Sequence, residues 1–280
     1  MGSVTRRSHY VPAAYLQFWD IDGVPNGRNS TLWVTSEKGC MKRSVNNTAI
    51  QSWVYSRKNP NEAESYFSEF EADWSKLIKQ FLIGKQPKNE IFANLLLLHS
   101  AYFLLRNPSI ESKGASERIE NYKQSIELFW REILLEGQQV SSLNAAAHNM
   151  NTIWSSHILP SSTSQFVTSD NPSIYLQKDG EISMIILPIT PNWLVLFHKK
   201  NIKMVRGKVL INDIMHLNSY VSLNSNREIY SRDEMEESDI NSFRKWTDSK
   251  LPNNNFYSDT ELSIEVVPYP SYGMKFSFIE

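Results

Sequence analysis

Two hydrophobic rhythms follow one another along this chain, and their order is its strongest constraint. Up to about residue 160 apolar residues recur mostly at helical spacing. Beyond it they come in short runs separated by turn residues. Between Glu62 and Leu82, the residues Tyr66, Phe67, Phe70, Trp74, Leu77, Ile78 and Phe81 fall on one face at a period near 3.6. The longest apolar stretch, Ile91 to Leu105, contains Asn94, His99 and Ser100 and is stopped by Asn107-Pro108. At a rise of ~1.5 Å per residue it is too short for a ~30 Å hydrocarbon core, so it predicts a buried helix and no membrane span. Residues 116–136 carry a third stripe, from Ile119 to Leu134, closed by Gly137. A fourth helix is expected over 141–158, before Pro160, and a short one over 12–19, begun by Pro12.

Strand patterns are sparse early, at Thr31–Thr35 and Ser52–Tyr55, and dense later. Gln165–Thr168, Ser173–Leu176, Ile182–Leu187 and Trp193–Phe197 are separated by Asn171-Pro172, Asp179-Gly180 and Pro191-Asn192, which is hairpin chemistry. A helical pattern returns over Ile211–Tyr230, a charged helix is expected over 233–250, and two strands close the chain over 261–279. The expectation is one α+β domain, 1–280, helix-rich over 8–160 and strand-rich over 161–280. Its helical N-terminal half would pack on a mainly antiparallel sheet from the C-terminal half.

Composition narrows the function classes. A formal net charge of -1 leaves no global field to capture nucleic acid or an anionic membrane, so any such contact needs a local patch. The 8 tryptophans read either as a large aromatic core or as a stacking surface for bases. The single cysteine, Cys40, excludes a disulfide within the chain and a multi-cysteine zinc site, and points to a reducing compartment. Met1 to Ser8 is not followed by the apolar run of a secretory signal, so a cytoplasmic location is expected.

The chain has no GxGxxG, P-loop, GxSxG, HExxH or EF-hand pattern. Its six histidines form no close HxH or HxxxH pair, so neither a cofactor nor a metal is expected, unless carboxylates distant in sequence converge.

Two strings stand out: His9-Tyr10-Val11-Pro12, leading to Tyr15, Leu16 and Phe18, and Thr168-Ser169-Asp170-Asn171-Pro172. The second places polar side chains at a strand end, on a turn braced by proline, which is a common way to present a site. It reads equally as a plain turn, because Asp and Asn bond their own backbone there.

Together the strings resemble a bacterial family of unknown function, DUF4238, whose members open with a His-Tyr/Phe-Val/Ile-Pro-x-x-Tyr-Leu-x-x-Phe signature. Here Phe18 comes one place early and Trp19 fills the aromatic slot. The resemblance covers about 8–232. It also matches Glu71 on an acidic helix, Arg106 before Pro108, the Thr-Ser-Asp-Asn-Pro turn in full, Pro188 and Pro191, and Asn218 on a late helix. The family includes proteins found among antiviral defence genes, so the resemblance implies an anti-phage role without supplying a mechanism.

His9, Glu71, Arg106 and Asp170 are the candidate catalytic residues, with Tyr10, Ser169, Asn171 and Asn218 as candidate binding residues. Were the first four to converge, histidine and a carboxylate could move protons while arginine held developing charge. That suits metal-independent hydrolysis of RNA or a nucleotide by a toxic effector. The other reading is a binding module that senses a phage-derived protein or ligand without catalysis. Each residue also has a structural role open to it: His9 as a tether, Arg106 as a helix-end cation or the partner of Glu71, Asp170 as a turn residue.

Overall fold

A computed structural model of the protein describes residues 7–52, 68, 71–72, 74–80, 82, 153–161, 165–178, 181–199, 208–209, 211–225, 227–239, 241, 256–258, 266–267 and 274–276. The helices predicted over 89–106 and 116–136, and Arg106 with them, lie outside these residues.

Strand β1 (Arg7–His9) opens the described chain and pairs antiparallel with β4 (Ile50–Ser52), His9 facing Ile50. Between them, Pro12 begins a short helix, α1 (Ala13–Leu16), which tightens into a 3-10 turn over Gln17–Trp19. This segment buries Tyr15, Leu16, Phe18 and Trp19. Tyr15 packs against Trp19 at 4.6 Å and Trp74 at 5.5 Å between ring centroids. Residues 71–72, 74–80 and 82 are helical, and Trp74, Leu77 and Ile78 are buried, as their spacing predicts. The Gln17 amide ties this helix to the N-terminal segment by donating to Ser75 Oγ (3.2 Å) and to the Ala14 carbonyl (2.8 Å).

Strands β2 (Thr31–Ser36) and β3 (Gly39–Ser44) form a hairpin in unbroken register. Gly39 has φ +103°, which a residue with a Cβ adopts only under strain. Further on come β5 (Trp154–Pro160), β6 (Thr168–Ser169), β7 (Ile174–Lys178), β8 (Glu181–Thr190), β9 (Trp193–Lys199) and β10 (Lys208–Val209). Helix α2 (Ile211–Asn224) precedes β11 (Ile229–Ser231), and β12 (Phe256–Ser258), β13 (Val266–Val267) and β14 (Met274–Phe276) follow.

One sheet has the order β3-β2-β11-β6 and is antiparallel throughout. A second runs β12-β7-β8-β9-β5-β14, antiparallel except where β12 lies parallel to β7. Strand β10 pairs with β13. Helix α2 buries Ile214, Leu217 and Val221 in a cluster with Phe166, Ile174 and Leu196. Each such side chain contributes roughly 1.5–3 kcal/mol by leaving water.

This architecture corrects the expected α+β division into a helical N-terminal half and a sheet from the C-terminal half. Strands run from residue 7 to residue 276, and β2 and β3 supply half of the four-stranded sheet. The helix predicted over 141–158 ends instead in β5, laddered to β9 from Trp154↔Lys199 to Pro160↔Trp193. The helix expected to reach Tyr230 stops at Asn224, and Ile229 and Tyr230 enter β11 against β2. In both cases the deciding hydrogen bonds come from residues far away in sequence, which local periodicity does not report.

Candidate functional site

Strand β6 delivers the Asp170-Asn171-Pro172 turn into the protein interior. Thr168, Ser169, Asp170 and Asn171 are all buried, so their polar atoms must find partners inside the fold. The Asn171 N–H donates to Ser169 Oγ (3.1 Å), closing the turn locally. The Asp170 N–H donates to the Glu228 carbonyl (3.0 Å), and Asp170 Oδ2 accepts the Arg227 N–H (2.9 Å).

Asn171 and Asn224 bind each other's backbone. Asn171 Nδ2 donates to the Asn224 carbonyl (2.9 Å), and Asn224 Nδ2 donates to the carbonyls of Asn171 (2.8 Å) and Ser173 (2.7 Å). The last carbonyl of α2 is thereby satisfied by the turn. Asn218, one face further up the helix, accepts the Val167 N–H (2.9 Å) and donates to the Gln165 carbonyl (3.0 Å), standing in for a neighbouring strand.

The N-terminal string lies against this turn. Tyr15 donates its hydroxyl hydrogen to the Pro188 carbonyl and sits 2.6 Å from Thr168 Oγ1. Its single hydrogen is committed to Pro188, so Thr168 is the donor to Tyr15. His9 donates from Nε2 to the Val45 carbonyl (3.0 Å). The Tyr10 N–H donates to the carbonyl of Ala49 (2.9 Å), a buried residue held at φ 53°.

The Tyr10 phenol is half-buried beside Asp170, Glu228, Tyr230 and Arg227. Burial, then the negative charges of Asp170 and Glu228, push its pKa up; the Tyr230 hydroxyl and the Arg227 guanidinium oppose them. Tyr230 is fully buried and shifted the same way, first by burial and then by its neighbours Tyr10, Asp170 and Glu228. Its hydroxyl donates to Glu228 Oε2 (3.0 Å), and Glu228 Oε1 pairs with Arg43 Nη1 at 2.6 Å. Side-chain exposures of 28% for Arg43 and 17% for Glu228 put this ion pair at the surface. A polar path therefore leads from buried Tyr230 through Glu228 to Arg43 and solvent. Both phenols keep their protons at neutral pH, and the Asp170 side chain and exposed Arg227 lie beside them.

The structure thus brings Tyr10, Ser169, Asp170 and Asn171 together and anchors Asn218 beside them. His9 adjoins Tyr10 with its ring turned to Val45. Glu71, half-buried and helical, is not among the groups that set the Tyr10 ionisation. Arg43, Arg227, Glu228 and Tyr230 were missed from sequence. The signal for the last three is a charged pair, Arg227-Glu228, placed directly before a Val/Ile/Tyr-type strand, which many loops share; Arg43 on β3 carries none. Among the described residues no group of three or more His, Cys, Asp or Glu could hold a metal ion. Among them, too, no helix is long and apolar enough to cross a membrane.

No curated protein and no solved structure matches the chain. A family model described as "Protein of unknown function (DUF4238)" matches residues 7–235, a span that opens at β1 and closes at Met235, buried in the α2 core cluster. The chain that joins its opening His-Tyr-Val-Pro string to a buried Thr-Ser-Asp-Asn-Pro turn is therefore a member of the DUF4238 family.

Proposed function

We propose that this protein is a bacterial anti-phage defence protein that works as a cytoplasmic binding module, with the surface end of the Tyr10–Tyr230–Glu228–Arg43 path as its recognition patch. The defence setting rests on the sequence resemblance alone, since the matching family model is described only as a protein of unknown function. The binding role is supported by one observation: four motif side chains bond the fold's own backbone. His9, Asn171 and Asn218 bond backbone groups, and Asp170 accepts the Arg227 N–H. Groups so engaged hold a surface in shape rather than shuttle protons. The patch keeps Arg227 exposed and the Arg43–Glu228 pair partly exposed for a phage-derived protein or ligand.

A second reading, hydrolysis of RNA or a nucleotide by a toxic effector, has one observation in its favour. Tyr10 lies beside two carboxylates, a grouping that can position a water or hold a proton. One experiment separates the two. Bacteria carrying the gene are challenged with phage, and tRNA, rRNA and nucleotide pools are measured. The binding role expects protection with intact pools, and loss of protection in Arg227→Ala with stability within about 0.5 kcal/mol of wild type. Cleaved RNA or depleted nucleotides in protected cells would replace it with the hydrolase.

A further inference from the structure

We propose that the outer edge of β3 is a docking edge for an extended acidic segment of a partner protein, which adds to the four-stranded sheet as a further strand. The phase of the hydrogen-bond ladder fixes which groups face outward. The Asp170 N–H to Glu228 carbonyl bond turns the main chains of Glu228 and Tyr230 toward β6. Alternation then turns Ile229 and Ser231 toward β2, where they face Thr35 and Trp33. Leu32 and Val34 must therefore bond β3, through Arg43 and Met41. Independently, the Thr31 carbonyl accepts the Ile21 N–H, away from β3, as this phase requires.

Cys40 and Lys42 are left with N–H and C=O groups pointing away from β2, and among the described residues no strand pairs with β3 on that side. Exposed edges are usually blunted by proline, by a bulge or by a lysine standing over them. Strand β3 has no proline and keeps one register over six pairs. Its lysine does not stand over the edge: Lys42 Nζ lies 5.0 Å from the Trp33 ring, over the face of the sheet. Arg43 is drawn to Glu228.

Charge selects the occupant. Lys38 and Lys42 are exposed, and among the described residues neither has a carboxylate partner. Met41, 39% exposed, offers an apolar contact on the opposite face. An added strand alternating acidic and apolar residues meets both. Self-pairing of two β3 edges would instead set lysines against lysines, which is unfavourable. The edge stands on backbone geometry and rests on the binding role only for who uses it. Cleaved RNA in protected cells would overturn that role and leave this edge untouched.

The test uses the full chain labelled for amide NMR, with a short alternating Glu/Val peptide as probe and a Lys/Val peptide as control. The Glu/Val peptide is expected to protect the Cys40 and Lys42 amides from exchange and to bind about tenfold more tightly than the control. Lys42→Pro removes an outward N–H that does not serve β2, and is expected to weaken binding about tenfold. Should that variant misfold, Lys42→Glu is expected to fold normally and to erase or reverse the charge preference. Unprotected amides at saturating peptide, absence of charge preference, or undiminished binding by a folded proline variant would each overturn the proposal. So would protection that appears on raising protein concentration alone, which would assign the edge to a second copy of this chain.

Discussion

Replacing Tyr15 by phenylalanine should destabilise the protein by roughly 2–4 kcal/mol, because two buried groups lose their partner at once. Tyr15 and Thr168 are both fully buried, so water cannot compensate. The phenol hydroxyl accepts from Thr168 and donates to the Pro188 carbonyl. Without it, one donor and one acceptor are left unmet, each costing about 1–3 kcal/mol. Thr168→Val removes only the donor and leaves the bond to Pro188, so it should cost about 1 kcal/mol. In the double variant the Thr168 hydroxyl is no longer there to be orphaned. Its loss should fall short of the sum of the singles by about 1 kcal/mol. Urea unfolding measures this, provided the m-value stays constant. Strict additivity, or a Tyr15→Phe cost below about 0.5 kcal/mol, would mean that the two family strings do not meet through this hydroxyl.

Asn218→Ala should cost about 2–3 kcal/mol, since it strips both the Val167 N–H and the Gln165 carbonyl of a partner; Asn218→Asp keeps the acceptor and loses the donor, so it should also destabilise, read by the same unfolding assay. Tyr10, Tyr15 and Tyr230 all have raised pKa values, so the folded state holds phenol protons that the unfolded chain releases near pH 10. Their contribution is therefore complete below pH ~10 and lost as pH rises beyond it, and Tyr10→Phe should flatten that alkaline slope in a pH series of melting curves. His198 runs the other way. Burial lowers its pKa despite the opposing bond to the Lys199 carbonyl, so its contribution is complete above pH ~6.5 and lost on acidification. His198→Gln should remove that acid-side sensitivity, and an unchanged acid slope would refute it.

Legibility from sequence followed the range of the interactions. The β2 strand was readable because Leu32 and Val34 alternate with Trp33 and Thr35 and both are buried. The buried face Trp74, Leu77 and Ile78 was readable for the same local reason. Strand β5 was not: Ser155, Ser156 and His157 carry no strand preference, and only ladders to β9 and β14 make them extended. The Thr-Ser-Asp-Asn-Pro turn was recognised, but the contact with the His-Tyr-Val-Pro segment runs through Tyr10 and Tyr15, while the expected His9 imidazole turns to Val45. Its partner Glu228 was invisible, because a carboxylate before a strand looks like any solvated loop residue until Arg43 is seen beside it. Arg106 and the proposed pairing with Glu71 lie outside the described residues.

The seam between β2 and β11 has a consequence during synthesis. Among the described residues, the cross-strand neighbour of Val34 on the side away from β3 is Tyr230. On a ribosome adding ~5–20 residues per second, the early hairpin must wait on the order of ten seconds or more for that strand to be made. Throughout this interval the side later covered by β11 has no strand against it. A nascent chain stalled before residue 229 would thus expose more sticky backbone than the finished protein, and should call on chaperones more heavily than its length suggests.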